Sequence, residues 1–134
     1  MDVKGFDKEK IIRYWLDSAE EDYDAMLTLY ENNKNSWALF VGHLVIEKLL
    51  KGLYVKVNED YPPLIHNLLR LAELCGLELN QEEKLFYATL TTFNINARYD
   101  DYKTNFRKKC TPEYTKQWVN EIKDKKEWIQ KQIT

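Results

Sequence analysis

The longest apolar stretch of the chain covers residues 36–57, and charged side chains interrupt it in its middle. A helix that is apolar on nearly all sides belongs in a core, where charged groups need partners or ligands. His43, Glu47 and Lys51 follow one another at intervals of four residues, so a helix would stack them on one side among apolar neighbours. A mixed face of this kind predicts the wall of a polar cleft.

Apolar positions that recur every three or four residues predict further helices on both sides of this stretch. Pro62-Pro63 ends the second helix, and Thr111-Pro112-Glu113 has the cap, proline and acid that begin a last one. Residues 97–110 are predicted as a helix continuation or a loop with one short turn. The predicted helices cover Lys8–Glu31, 36–57, 66–75, about 80–96, and 112 to near the C-terminus. The pattern therefore predicts one all-α domain over residues 1–134, an antiparallel bundle of about five helices.

Composition narrows the function classes. The chain has 134 residues and a net charge of −2, which argues against nucleic-acid binding by bulk electrostatics but leaves a local basic patch possible. Cys75 and Cys110 are isolated, the N-terminus lacks an apolar signal region, and no charge-free apolar stretch is long enough to span a membrane. We therefore expect a soluble, cytoplasmic protein.

Several familiar catalytic signatures are missing from the sequence. It has no glycine-rich phosphate loop, no Gly-x-Ser-x-Gly elbow, and no His, Cys or carboxylate array at metal-ligand spacing. With only two histidines, a histidine-rich metal centre is excluded. The sequence predicts neither a metal nor a cofactor.

Five residues are candidates for a ligand site, and each has a plain structural alternative. Glu47 and Lys51 have the spacing of an intrahelical ion pair, which either lies on a solvated strip or meets a polar partner in the cleft. His66 either satisfies a backbone group or is held beside that pair. Arg98 either pairs with a neighbouring carboxylate or presents its planar fork to a phosphate. Tyr99 either packs in the core or an interface, or stacks on a base.

The order of four short motifs carries further information. They are Trp15-x-x-x-Ala19-x-x-Asp22-Tyr23, His43-x-x-x-Glu47-Lys48-x-x-Lys51-Gly52, Pro62-Pro63-x-x-His66-Asn67-Leu68-x-x-Leu71 and Asn96-Ala97-Arg98-Tyr99-Asp100. In this order, and with the last helix after them, they resemble the HEPN domain over nearly the whole chain. The resemblance implies a helical bundle that usually forms a homodimer and associates with nucleotides or RNA. It also implies a possible pairing with a minimal nucleotidyltransferase in a toxin–antitoxin module.

The chain departs from the catalytic mark of that family. Many HEPN proteins are metal-independent ribonucleases, marked by an arginine followed, after four to six intervening residues, by a histidine near the dimer interface. After Arg98 those positions hold Lys103, Thr104 and Asn105, and the other arginines lack the histidine too. The usual acid–base partner for attack by a ribose 2′-hydroxyl is therefore missing, so we expect a protein that is not an enzyme.

The leading hypothesis is a non-catalytic HEPN-like protein that binds a nucleotide, an RNA element or a nucleotidyltransferase partner. In it, Glu47 orients Lys51, Lys51 and Arg98 meet phosphate, and His66 completes the rim. One alternative is a ribonuclease with an altered set of catalytic residues, built on Arg98, His66 and either Tyr99 or Tyr102. The other is a dimeric scaffold in which these residues form only internal salt bridges.

Overall fold

The computed structural model describes residues 5–134, and this part of the chain contains helices and no strands. Six helices follow one another: α1 (Lys8–Glu31), α2 (Asn35–Asn58), α3 (Leu68–Leu74), α4 (Gln81–Asn96), α5 (Asp100–Lys109) and α6 (Pro112–Ile133). The predicted all-α class is confirmed, with one helix more than expected.

Side-chain caps explain where most helices begin. Asp7, Asn67 and Thr111 each accept a hydrogen bond from a backbone N–H in the first turn of α1, α3 and α6. Asn80 forms a capping box with Glu83 at the start of α4, as predicted. Because Asn67 is the cap, α3 begins at Leu68, two residues later than the sequence pattern indicated.

The additional helix lies in the segment whose structure the sequence left open. Tyr99 has extended backbone angles, φ −88° and ψ 133°, which separate α5 from the end of α4. Asp100 and Asp101 then occupy the first turn of α5, and basic residues occupy its last turn. Both charge placements interact favourably with the helix dipole and stabilise the helix. A strongly polar segment with little apolar periodicity can therefore still fold as a helix.

Helix α2 lies at the centre of the bundle, and α1, α3 and α6 pack around it. The connection from α1 to α2 is only three residues long, which makes the two helices antiparallel neighbours. A Cβ added to Gly42 would lie 2.5 Å from Ile122 Cδ1 and 3.1 Å from Met26 Sδ, so glycine lets α1 and α6 approach α2 here. Within residues 5–134, no helix is both long enough and apolar enough to cross a membrane.

Candidate functional site

The carboxylate of Glu47 lies at the centre of a group of basic side chains. Its Oε2 is 3.2 Å from Lys51 Nζ, and its Oε1 is 3.1 Å from His66 Nδ1 and 3.4 Å from His43 Nε2. We call these four residues the Glu47 cluster. Three of them come from successive turns of α2, and His66 comes from the segment between α2 and α3. The predicted contacts of Glu47 with Lys51 and His66 are thus present.

The Glu47 cluster is largely closed to solvent. Glu47 and Lys51 are each 6% exposed and His43 is 1% exposed, whereas the His66 side chain is 67% exposed. The sequence predicted the wall of a polar cleft, whereas the side chains form a buried charged group that His66 alone connects to the surface. The Lys51 ammonium also lies 5.4 Å from the Trp15 ring centroid, an additional favourable contact for a buried cation.

Electrostatics keep Glu47 ionised. Burial by itself raises the pKa of this carboxyl, but the nearby His43 imidazole, the Lys51 charge and the hydrogen bond with His66 outweigh it and lower the pKa from 4.5 to about 2. An ionised carboxylate can only accept hydrogen bonds, so the His66 Nδ1 must carry the proton in their contact. In neutral His66 the unprotonated nitrogen is therefore Nε2, on a side chain that reaches solvent.

His43 is the member of the Glu47 cluster that was not among the predicted site residues. Its Nε2 lies 3.4 Å from Glu47 Oε1, but neither ring nitrogen makes a hydrogen bond within residues 5–134. A buried polar side chain without hydrogen bonds is uncommon. The spacing of four residues to Glu47 was the sequence signal that could have identified it.

Arg98 lies at a second position, over Phe40 of α2 and beside Tyr99. The Arg98 guanidinium carbon is 5.7 Å from the Phe40 ring centroid and 5.5 Å from that of Tyr99, and its Nε donates to the Asn94 carbonyl at 2.9 Å. In the described part of the chain Arg98 contacts no charged member of the Glu47 cluster. Phe40 connects the two positions, because its ring centroid is 6.1 Å from that of His43.

The arrangement has two chemical capacities. Within residues 5–134 the Arg98 side chain donates a hydrogen bond only through Nε, which leaves its terminal N–H groups for an anion such as phosphate. His66 offers Nε2 as a proton acceptor, on a ring that the buried Glu47 carboxylate orients through Nδ1. Across residues 5–134, no group of three or more His, Cys, Asp or Glu side chains is arranged to hold a metal ion.

Comparison with known protein families identifies the HEPN domain. The model of the HEPN domain matches residues 12–132, nearly the whole chain. The chain has no significant similarity to a curated protein or to a solved structure.

Proposed function

Because the chain belongs to the HEPN family, we propose that it is a non-catalytic HEPN protein that recognises a nucleotide or an RNA element. The family relationship favours a role connected with nucleotides or RNA. The observation that carries the proposal is the buried Glu47 carboxylate that holds the exposed His66 side chain in a fixed orientation. Glu47 here positions its neighbours, and the ligand meets the groups that reach the surface.

In this proposal Arg98 binds phosphate and Tyr99 stacks on a base. The Arg98 guanidinium lies beside the exposed Tyr99 ring, so a phosphate and a neighbouring base can be bound together. His66 completes the site with a hydrogen bond from or to the ligand. Lys51 supports the site from inside, since its buried ammonium is paired with the Glu47 carboxylate that orients His66.

Calorimetry with ATP and with a short single-stranded RNA tests this proposal. We expect Arg98→Ala and His66→Ala each to weaken binding, and Arg13→Ala, which removes an equally exposed arginine from α1, to leave it unchanged. Both test residues are exposed, so their replacement should leave the fold intact. Absence of binding at millimolar ligand by the wild-type protein would refute the ligand site.

A homodimer is the second part of the proposal. HEPN domains often dimerise, and Trp37, which is 39% exposed, presents aromatic surface beside Phe40, with their ring centroids 5.8 Å apart. Burial of such a patch against a second copy would remove apolar surface from water. We expect Trp37→Asp to shift sedimentation from dimer to monomer and Leu64→Asp, at an apolar position that is 96% exposed, to leave it unchanged. A monomeric wild-type protein would refute this part.

A protein partner and a cellular setting complete the proposal. The family relationship favours a minimal nucleotidyltransferase in a toxin–antitoxin module, and a neighbouring gene for such an enzyme, followed by copurification, is the test. We propose a cytoplasmic location, which is supported by the two free cysteines, Cys75 and Cys110, since free thiols are usual in a reducing compartment. If the protein does not copurify with the neighbouring enzyme, the proposed partner is refuted, but the proposal of nucleotide binding is not affected.

A metal-independent ribonuclease is a second candidate function, favoured by the Glu47–His66 contact. With Nδ1 bound to Glu47, His66 Nε2 could take the proton of a ribose 2′-hydroxyl. The 2′-oxygen would then bond to the adjacent phosphorus, and the 5′-oxygen would leave with a proton from water. This candidate predicts RNA cleavage in the presence of a chelator, lost in His66→Ala. RNA that stays intact during prolonged incubation would rule it out.

A further inference from the structure

An open groove lies between α4 and α6, and it shares no residue with the Glu47 cluster or with Arg98. Residues 82–89 form one wall and residues 117–128 the other, and the groove encloses about 440 Å³. The α6 wall extends over eleven residue steps, which is ~16 Å at the rise of an α-helix. This length fits about three turns of a helix or a short extended peptide.

The floor of the α4–α6 groove is apolar and aromatic. The Phe86 and Trp118 rings stack with centroids 5.4 Å apart and planes inclined by 22°. Leu85 is 67% exposed and Trp128 is 38% exposed at its edges. Large apolar side chains left open together in a groove are typical of a binding surface.

The rim of the α4–α6 groove is acidic. Glu82 and Glu83 lie on the α4 side, and Glu121 and Asp124 lie on the α6 side. Burial, with the charges of Glu82 and Asp124, raises the pKa of Glu121, as expected where carboxylates are crowded. Such a rim repels phosphate, which argues against a nucleic acid and for a cationic occupant.

Lys125 shows how this groove holds a positive charge. Its ammonium lies 5.2 Å from the Trp128 ring centroid, 5.7 Å from that of Phe86 and 5.8 Å from that of Tyr87. It also pairs with Glu83 at 3.3 Å. Aromatic faces and carboxylates thus already surround one cation, while Glu82, Glu121 and Asp124 make no ion pair within residues 5–134.

We propose that the α4–α6 groove docks a basic amphipathic segment of a protein partner. An aliphatic or aromatic side chain of that segment packs on Phe86 and Trp118, and lysine or arginine side chains on its flanks pair with Glu121 and Asp124. The apolar floor supplies most of the affinity, and the acidic rim selects basic sequences and fixes their register. This function is separate from nucleotide recognition.

The proposal can be tested by selecting, from a displayed library of random twelve-residue peptides, those that bind the protein. We expect enriched peptides in which Lys or Arg flanks Leu, Met or an aromatic residue. A synthetic peptide of the enriched sequence should shift the indole NMR signals of Trp118 and Trp128 on binding. The double variant Glu121→Lys with Asp124→Lys should weaken this peptide roughly tenfold or more in calorimetry.

The matched control is Glu21→Lys with Asp24→Lys, which changes the net charge equally, with the same spacing of three residues, at exposed positions of α1 outside the groove. It should bind the peptide as tightly as the wild type. Enrichment of acidic or uncharged peptides, or equal weakening by both double variants, would overturn the proposal. Dissociation of a homodimer by the groove variant alone would also overturn it, because the occupant would then be a second copy of the chain.

Discussion

Replacement of Glu47 by glutamine removes the negative charge at the centre of the Glu47 cluster but keeps the shape of the side chain. The amide occupies the same volume, but it cannot neutralise the Lys51 ammonium, which stays 6% exposed in the protein interior. Breaking a buried ion pair in this way is costly because the remaining charge is desolvated without a counter-charge. We therefore expect Glu47→Gln to destabilise the fold strongly at neutral pH.

The pKa of Glu47 gives the magnitude. Folding lowers this pKa from 4.5 to about 2, and a difference of ~2.5 units at ~1.4 kcal/mol per unit corresponds to ~3 kcal/mol of stability. Because the folded-state pKa is the lower one, the contribution is complete above pH 4.5 and is lost as the pH falls toward about 2. The stability difference between wild type and Glu47→Gln should shrink over the same range.

Urea unfolding followed by circular dichroism, at several pH values down to the lowest at which both proteins fold, measures this difference. Glu59→Gln is the control, because Glu59 is exposed and its surface pair with Lys8 is worth under ~1 kcal/mol. A loss below ~1 kcal/mol for Glu47→Gln at pH 7, or a difference that does not change with acid, would refute the electrostatic account.

Three other predictions concern packing, reactivity and capping. Gly42→Ala should destabilise the protein by ~1–3 kcal/mol in urea unfolding, because the new Cβ would meet the buried Ile122. The control Gly52→Ala, where the atom nearest to the new Cβ is 3.4 Å away, should be neutral or stabilising. Equal effects of the two substitutions would contradict this packing. Burial raises the pKa of the Cys75 thiol to about 12, so a thiol reagent at pH 8 should modify Cys75 only as fast as the protein opens, and rapid labelling under native conditions would show otherwise. Thr111→Ala should cost ~1 kcal/mol, because α6 loses the side-chain acceptor for an amide of its first turn, and an unchanged midpoint of unfolding would exclude that role.

Most of the fold could be predicted from the sequence because its signals are local. Pro62-Pro63, the Asn80 capping box and the Thr111 cap mark helix boundaries through neighbouring residues only. Helix α5 was not predicted as a separate helix, since its stability depends on charges at its ends and on Phe106, its one buried side chain. The hydrophobic pattern of that segment is too weak to show this.

The candidate site was predictable only where its residues share one helix. Glu47 and Lys51 follow from helical spacing, and so does His43, whose burial the sequence does not show. The contact of His66 with Glu47 joins positions 19 residues apart, and its distance depends on how the segment after α2 folds back. The placement of Arg98 over Phe40 depends likewise on the packing of α4 and α5 near α2, which no local pattern encodes.

The unequal exposure within the Glu47 cluster has a kinetic consequence. His66 alone reaches the surface, and its hydrogen bond with the buried Glu47 carboxylate, at 3.1 Å, restrains rotation of its ring. Exposed side chains without such a bond change rotamer within picoseconds to nanoseconds. A ligand that meets His66 would therefore find the ring already oriented, and reorientation of this side chain would not limit the rate of association.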